Sequence, residues 1–228
     1  MPILRDRDLK LDVDQVLRGQ GANPAVVRTR SPRLVELAGR ALGEGLPLLE
    51  PVVLYHQFAV EAFQHDCLML AGGATLAGSL VAQHLARSQY VLAVLCTIGD
   101  ALERRARELV ATESLYALAL DGLGSAAAEE LANSACRYFE DRGKADGMQT
   151  TIPLSPGMIG WPVEESQHQI FALLDASRVG IVLTESSVMT PVKSISMVLG
   201  LGHDVSSDSR ICDYCTMRET CRYRAKIA

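Results

Sequence analysis

Between residues 114 and 141 the chain carries its longest helical pattern, with Leu120, Leu123, Ala127, Leu131 and Tyr138 stepping along one face. A helix of that length must be packed along a large part of a domain, so it constrains everything around it. A second face also has a pattern. At 100° per residue Gly122, Ala126, Glu129 and Asn133 line up, so that small residues lead to a carboxylate and an amide. Such a face serves one of two purposes: close packing against a neighbouring element, or a low floor that lets a ligand approach the carboxylate.

The remaining pattern mixes helices and strands. Residues 8–18 and about 31–43 have apolar positions at helical spacing, the second run stopping at the breaker Gly43 to Gly45. PVVLYHQFAVEAF (51–63) reads as extended. Residues 71–89 read as a helix after a glycine pair, with Thr75 as its N-cap. YVLAVLCTIG (90–99) is a continuous apolar run, as expected of a buried strand, and a helix capped by Asp100 follows. After a polar linker, DRGKADGMQ, residues 163–175 read as a helix, and 178–186 and 193–202 as strands. The alternation is irregular and no GxGxxG follows a strand, which places the chain in the α+β class rather than among doubly wound nucleotide folds. With 228 residues, 48% of them hydrophobic, it can bury a real core. The expected organisation is one domain over residues 1–205 and a short tail over 206–228.

A net charge of -5 and a pI near 5.6 argue against non-specific nucleic-acid binding, which requires a cationic surface. No apolar leader opens the chain and its apolar runs are too short to span a bilayer, so the expectation is a soluble, cytoplasmic protein without a membrane partner. Cys67, Cys96 and Cys136 sit among apolar residues, as buried free thiols do in a reducing compartment. The other cysteines, Cys212, Cys215 and Cys221, cluster in CDYCTMRETCRYR with CxxCx5C spacing. A CxxC pair can present two thiolates to one ion and Cys221 a third. A structural zinc site then needs a fourth ligand, for which His203 is nearest in sequence. An iron–sulfur cluster with one open iron is equally compatible, and a redox dithiol or idle thiols are the other readings. Arg218, Arg222, Arg224 and Lys226 would favour thiolates. His56, His65, His84 and His168 are scattered without metal-site spacing, and no nucleophile motif is present. In LSPGMIGWPVEES (154–166), Pro156-Gly157 predicts a tight turn able to expose backbone donors, or simply a well-made turn.

The segments LSPGMIGWPVEESQHQIFALLD and IVLTESSVMTPVKSISMVLGLG resemble the activation domain of cobalamin-dependent methionine synthase, and short standalone members of that family most of all. The likeness extends back through LAGSLVAQHLARSQYVLAVLCTIGDALERRA and LALDGLGSAAAEELANSACRYFE, so that residues 70–202 match best. It implies a mostly antiparallel sheet flanked by helices, and a domain that binds S-adenosylmethionine and docks over cobalamin for reductive methylation. Carried over by residue, it implies a cofactor-binding role for Glu129, for the turn residues Pro156 and Gly157, for Met158 at a family tyrosine position, and for Glu185 within the TES element. The chain departs where the family arginine that grips the S-adenosylmethionine carboxylate falls at Pro153, since proline cannot replace a bidentate guanidinium. A second acidic residue is replaced around Gly147, and the tyrosines beyond the last strand have no counterpart. Some short members do share a cysteine-rich end closing in Tyr-Arg. The resemblance thus implies an accessory or reactivation protein for a corrinoid protein or methionine synthase core, taking part in a methyltransferase reaction, with zinc or an iron–sulfur cluster at the tail. The alternative is a non-catalytic corrinoid- or small-molecule-binding module whose tail a metal merely stabilises.

Overall fold

The computed structural model describes residues 1–5, 8–206 and 209–221. A short strand β1 (Ile3–Arg5) precedes three helices, α1 (Val13–Gly19), α2 (Pro24–Arg30) and α3 (Pro32–Gly45). The long strand β2 (Val52–Gln64) leads into β3 (Cys67–Leu70) and β4 (Thr75–Ala77), then α4 (Ser79–Leu85), β5 (Tyr90–Thr97) and α5 (Ala101–Leu109). Helix α6 (Ser114–Ala145) is followed by β6 (Gln149–Thr150), α7 (Val163–Leu173), the small hairpin β7 (Val182–Leu183) and β8 (Met189–Thr190), and β9 (Ser194–Gly202). A single 3-10 turn at Ile211–Tyr214 lies beyond.

Among the described residues seven strands form one sheet in the order β4-β3-β2-β5-β9-β6, with β1 also on β2, and each of these pairings is antiparallel. Strand β5 is central: Val94 stands opposite Tyr55 on one side and Met197 on the other. Side chains alternate across a strand, so an unbroken apolar run needs cover on both faces. It has it. Leu92, Val94 and Cys96 join a core with α1, α3, α5 and α6, whereas Val91, Ala93 and Leu95 join a second core with α4, α7 and Trp161. The inner face of α6 carries the first core: Leu123 and Leu131 are fully buried, and truncating either to Ala costs about 2–5 kcal/mol.

Several local expectations give way to longer-range constraints. Thr75 does not cap a helix; it pairs with Met69 at the start of β4, because Gly72 and Gly73, both at positive φ, turn the chain back on itself. The helix starts later, at Ser79. Asp100 occupies the N-cap position of α5 as expected, but its side chain makes no capping hydrogen bond, the carboxylate pairing instead with Arg104 at 3.3 Å. The polar stretch after residue 141 continues α6 to Ala145, so that only residues 146–148 link it to β6. Of residues 178–186 only Val182–Leu183 are strand, the preceding Ala176–Val179 being a 3-10 turn ended by Gly180 in the left-handed region. Helix α2 and strand β3 are additions to the sequence-based picture.

Candidate functional site

The small-residue face of α6 divides into a sealed part and an open part. At the sealed part α1 crosses over Gly122: a Cβ there would lie 2.7 Å from the carbonyl oxygen of Val16, and a Cβ on Gly19 would overlap the backbone of Gly122. Only a glycine pair permits this approach. Helix α1 is held further by a capping box, Asp12 accepting from the Gln15 amide at 2.7 Å while Gln15 Oε1 accepts from the Asp12 amide at 2.9 Å.

One turn further along α6 the same face opens into a cavity of about 430 Å³, within the range of small-molecule sites. Ala126, Glu129, Glu130 and Asn133 form its α6 wall, Gln15 and Arg18 its α1 wall, and Ile211, Cys212, Cys215 and Cys221 close it from the tail. Glu130 is held by Arg137 at 2.8 Å. The Nε of Arg18 is buried and has no hydrogen-bond partner among the described residues.

The tail reaches the cavity because it is docked on the turn at Pro156-Gly157. Gly157 sits at φ 89°, in the left-handed region that glycine tolerates, and its N–H donates to the Trp161 carbonyl at 3.0 Å. Trp161 is fully buried and anchors the turn against the second core. Met158 and Cys215 form an antiparallel bridge, and the Ile159 N–H donates to the Tyr214 carbonyl at 2.8 Å. The Tyr214 ring meets His84 edge-on with centroids 4.6 Å apart, and its hydroxyl accepts from Gln83 at 3.1 Å. Burial holds the His84 imidazole below its ordinary pKa, and its Nε2 has no partner among the described residues.

Of the residues singled out in the sequence, Glu129, Cys212, Cys215 and Cys221 come together around one cavity, joined by Ala126 and Asn133. Pro156, Gly157 and Met158 form the platform under the tail and do not line it. Glu185 is exposed in the β7–β8 turn, and His203 bonds to the Gly147 carbonyl at 3.0 Å, so neither joins the cysteines. Arg218 pairs with Asp213 at 3.4 Å. Arg222, Arg224 and Lys226 lie outside the described residues. All six cysteines are free thiols. Burial pushes the Cys136 thiol up to about 12 and Cys96 is buried, but Cys67 is half-buried on β3 rather than enclosed. Among the described residues no group of His, Cys, Asp and Glu side chains is arranged to hold a metal ion. The thiols border the cavity without closing on one point. Gln15 and Arg18 were not legible as site residues, since only the α1–α6 crossing brings them there.

Among the described residues no helix is long and apolar enough to cross a membrane. A model of the vitamin B12 dependent methionine synthase activation domain matches residues 80–209. The crystal structure of the MetH reactivation domain bound to AdoHcy superposes with a TM-score of 0.60 at 16% identity, covering 99% of this chain and 86% of that one. At that identity the likeness carries the fold: the same antiparallel sheet flanked by helices. No curated protein matches the chain.

Proposed function

This chain belongs to the family of vitamin B12 dependent methionine synthase activation domains, and we propose that it is an accessory protein for reactivating a cobalamin-dependent methyltransferase. It would support reductive remethylation of a corrinoid carried by a partner such as a methionine synthase core, with an S-adenosyl ligand entering the cavity between α6 and the tail. The observation that carries this reading is the meeting of Glu129 with Cys212, Cys215 and Cys221 around one space. The cavity holds the polar groups a small ligand needs for orientation: the Glu129 carboxylate, the Asn133 amide and the Arg18 guanidinium.

The cysteines supply a second part of the reading. Reductive remethylation needs an electron as well as a methyl group. The three thiols border the cavity without converging on one point, so a metal-bound group there would require them to draw together. An iron–sulfur cluster would supply one-electron transfer, whereas zinc would only fix the tail. The chain's own residues already do part of the fixing. The Met158–Cys215 bridge and the Tyr214 contacts hold the tail in place through protein groups alone, which leaves the thiols for another use.

The test is anaerobic absorbance spectroscopy of a cobalamin-loaded methyltransferase core trapped as cob(II)alamin, to which this protein, S-adenosylmethionine and a reductant are added. Disappearance of the cob(II)alamin spectrum that depends on this protein is the expected result. A spectrum unchanged with and without reductant would count against the proposal. If the chain were a binding module with a metal-fixed tail, Cys212→Ser would lower stability and leave turnover intact.

A further inference from the structure

Arg18 lies outside the residues matched by the family model, yet its guanidinium borders the cavity with Nε buried and unpartnered among the described residues. An arginine is always charged, and a buried N–H without an acceptor carries the full cost of its lost hydration. Two acidic side chains of α1 and α6 are engaged elsewhere. Asp14 is taken by Arg28 at 2.6 Å, and Glu130 by Arg137 at 2.8 Å.

Gln15 strengthens the pattern. It is three residues from Arg18 and so shares its helical face, and both side chains line the cavity. Its Oε1 is committed to the capping box, accepting from the Asp12 amide, so what it can offer the cavity is N–H. The α1 wall is therefore a wall of donors. It is also a fixed wall, because the capping box and the Gly19–Gly122 crossing leave α1 little freedom.

We infer that Arg18 and Gln15 form a carboxylate-binding subsite that receives the amino-acid end of an S-adenosyl amino acid, an inference that rests on the S-adenosyl ligand proposed above. A guanidinium beside an amide matches the two oxygens of a planar carboxylate. The opposite wall chooses among anions. Glu129 and Glu130 border the same space, and carboxylates on that wall disfavour a doubly charged phosphate more than the single charge of a carboxylate. The chain thus has a carboxylate receptor on α1, where Pro153 offers none on the turn.

The test compares S-adenosylhomocysteine with 5′-methylthioadenosine, which keeps the thionucleoside and lacks the amino-acid end. Calorimetry is run on the wild-type chain and on Arg18→Gln. The wild type should bind S-adenosylhomocysteine the more tightly; the substitution should weaken that binding roughly ten- to a hundredfold and leave 5′-methylthioadenosine unchanged. Because the substitution removes a buried unpaired N–H, the ligand-free variant should melt no lower than the wild type, which a merely structural arginine would not allow. Equal losses for both ligands, or no loss for S-adenosylhomocysteine, overturn the subsite while leaving the S-adenosyl reading in place. If the wild type binds neither ligand, the S-adenosyl reading and the subsite fall together.

Discussion

Gly122 and Ala126 are one turn apart on the same face of α6, and they meet opposite surroundings. Gly122 is pressed against the backbone of α1, with no room for a methyl group; Ala126 looks into a cavity closed by the cysteine tail. One helix thus carries both a closely packed stretch and an open floor, and the first makes the second possible. The tight crossing at Gly122 sets the position of α1, and α1 in turn supplies the donor wall one turn further along.

Adding volume at each end separates the two environments. Gly122→Val drives a branched side chain into the Val16 carbonyl and should cost about 3 kcal/mol in urea denaturation. Ala126→Val expands into open space and should cost less than about 1 kcal/mol. Equal costs would mean that the face is uniform. A second contrast separates the buried cysteines from those of the tail. With its pKa near 12, Cys136 is thiolate in only about one molecule in ten thousand at pH 8. In metal-free protein, iodoacetamide followed by mass spectrometry should therefore find Cys212, Cys215 and Cys221 modified long before Cys136. Comparable rates would remove the distinction between structural and functional thiols.

Smaller effects are expected where the tail meets the body. Tyr214→Ala removes the ring contact with His84 and the Gln83 hydrogen bond and should loosen the tail by about 1 kcal/mol. Faster hydrogen exchange at the Ile159 amide would report it; unchanged exchange there would show that the bridge does not depend on the ring. The pH dependence has a definite sign. His84 has its pKa lowered by burial, so the folded state favours the neutral ring. Its contribution is fully present above the unfolded value of about 6.5 and is lost as pH falls from there through the lower folded value. Proteolysis of the tail should accelerate as pH falls below about 6.5 in the wild type, and His84→Phe should flatten that profile.

Much of the fold could be read in the chain because its signals are local. The apolar run at 90–99, the extended 51–63 and the long period at 114–141 survive in the structure as β5, β2 and α6. Thr75 starts a strand instead of capping a helix, and Asp100 stands at the N-cap position of α5 but gives its carboxylate to Arg104 rather than to a backbone amide; the choices are made by Gly72, Gly73 and Arg104. The site was half legible. Glu129 and the cysteines stand out by spacing, whereas Arg18 looks like any exposed charge on a short helix until the Gly19–Gly122 crossing places it. The antiparallel bridge from Met158 to Cys215 joins positions far apart in the sequence, with no periodicity to announce it.

If helix α6 and the cysteine tail build one site, filling its floor must be felt at the thiols. Anaerobic iodoacetamide labelling of the wild type beside Ala126→Phe, followed by mass spectrometry, measures this directly: the variant should change the labelling rates of Cys212, Cys215 and Cys221 severalfold, although no cysteine is replaced, and leave that of Cys67 as it was. Unchanged labelling of all three in a folded Ala126→Phe chain would contradict a shared site.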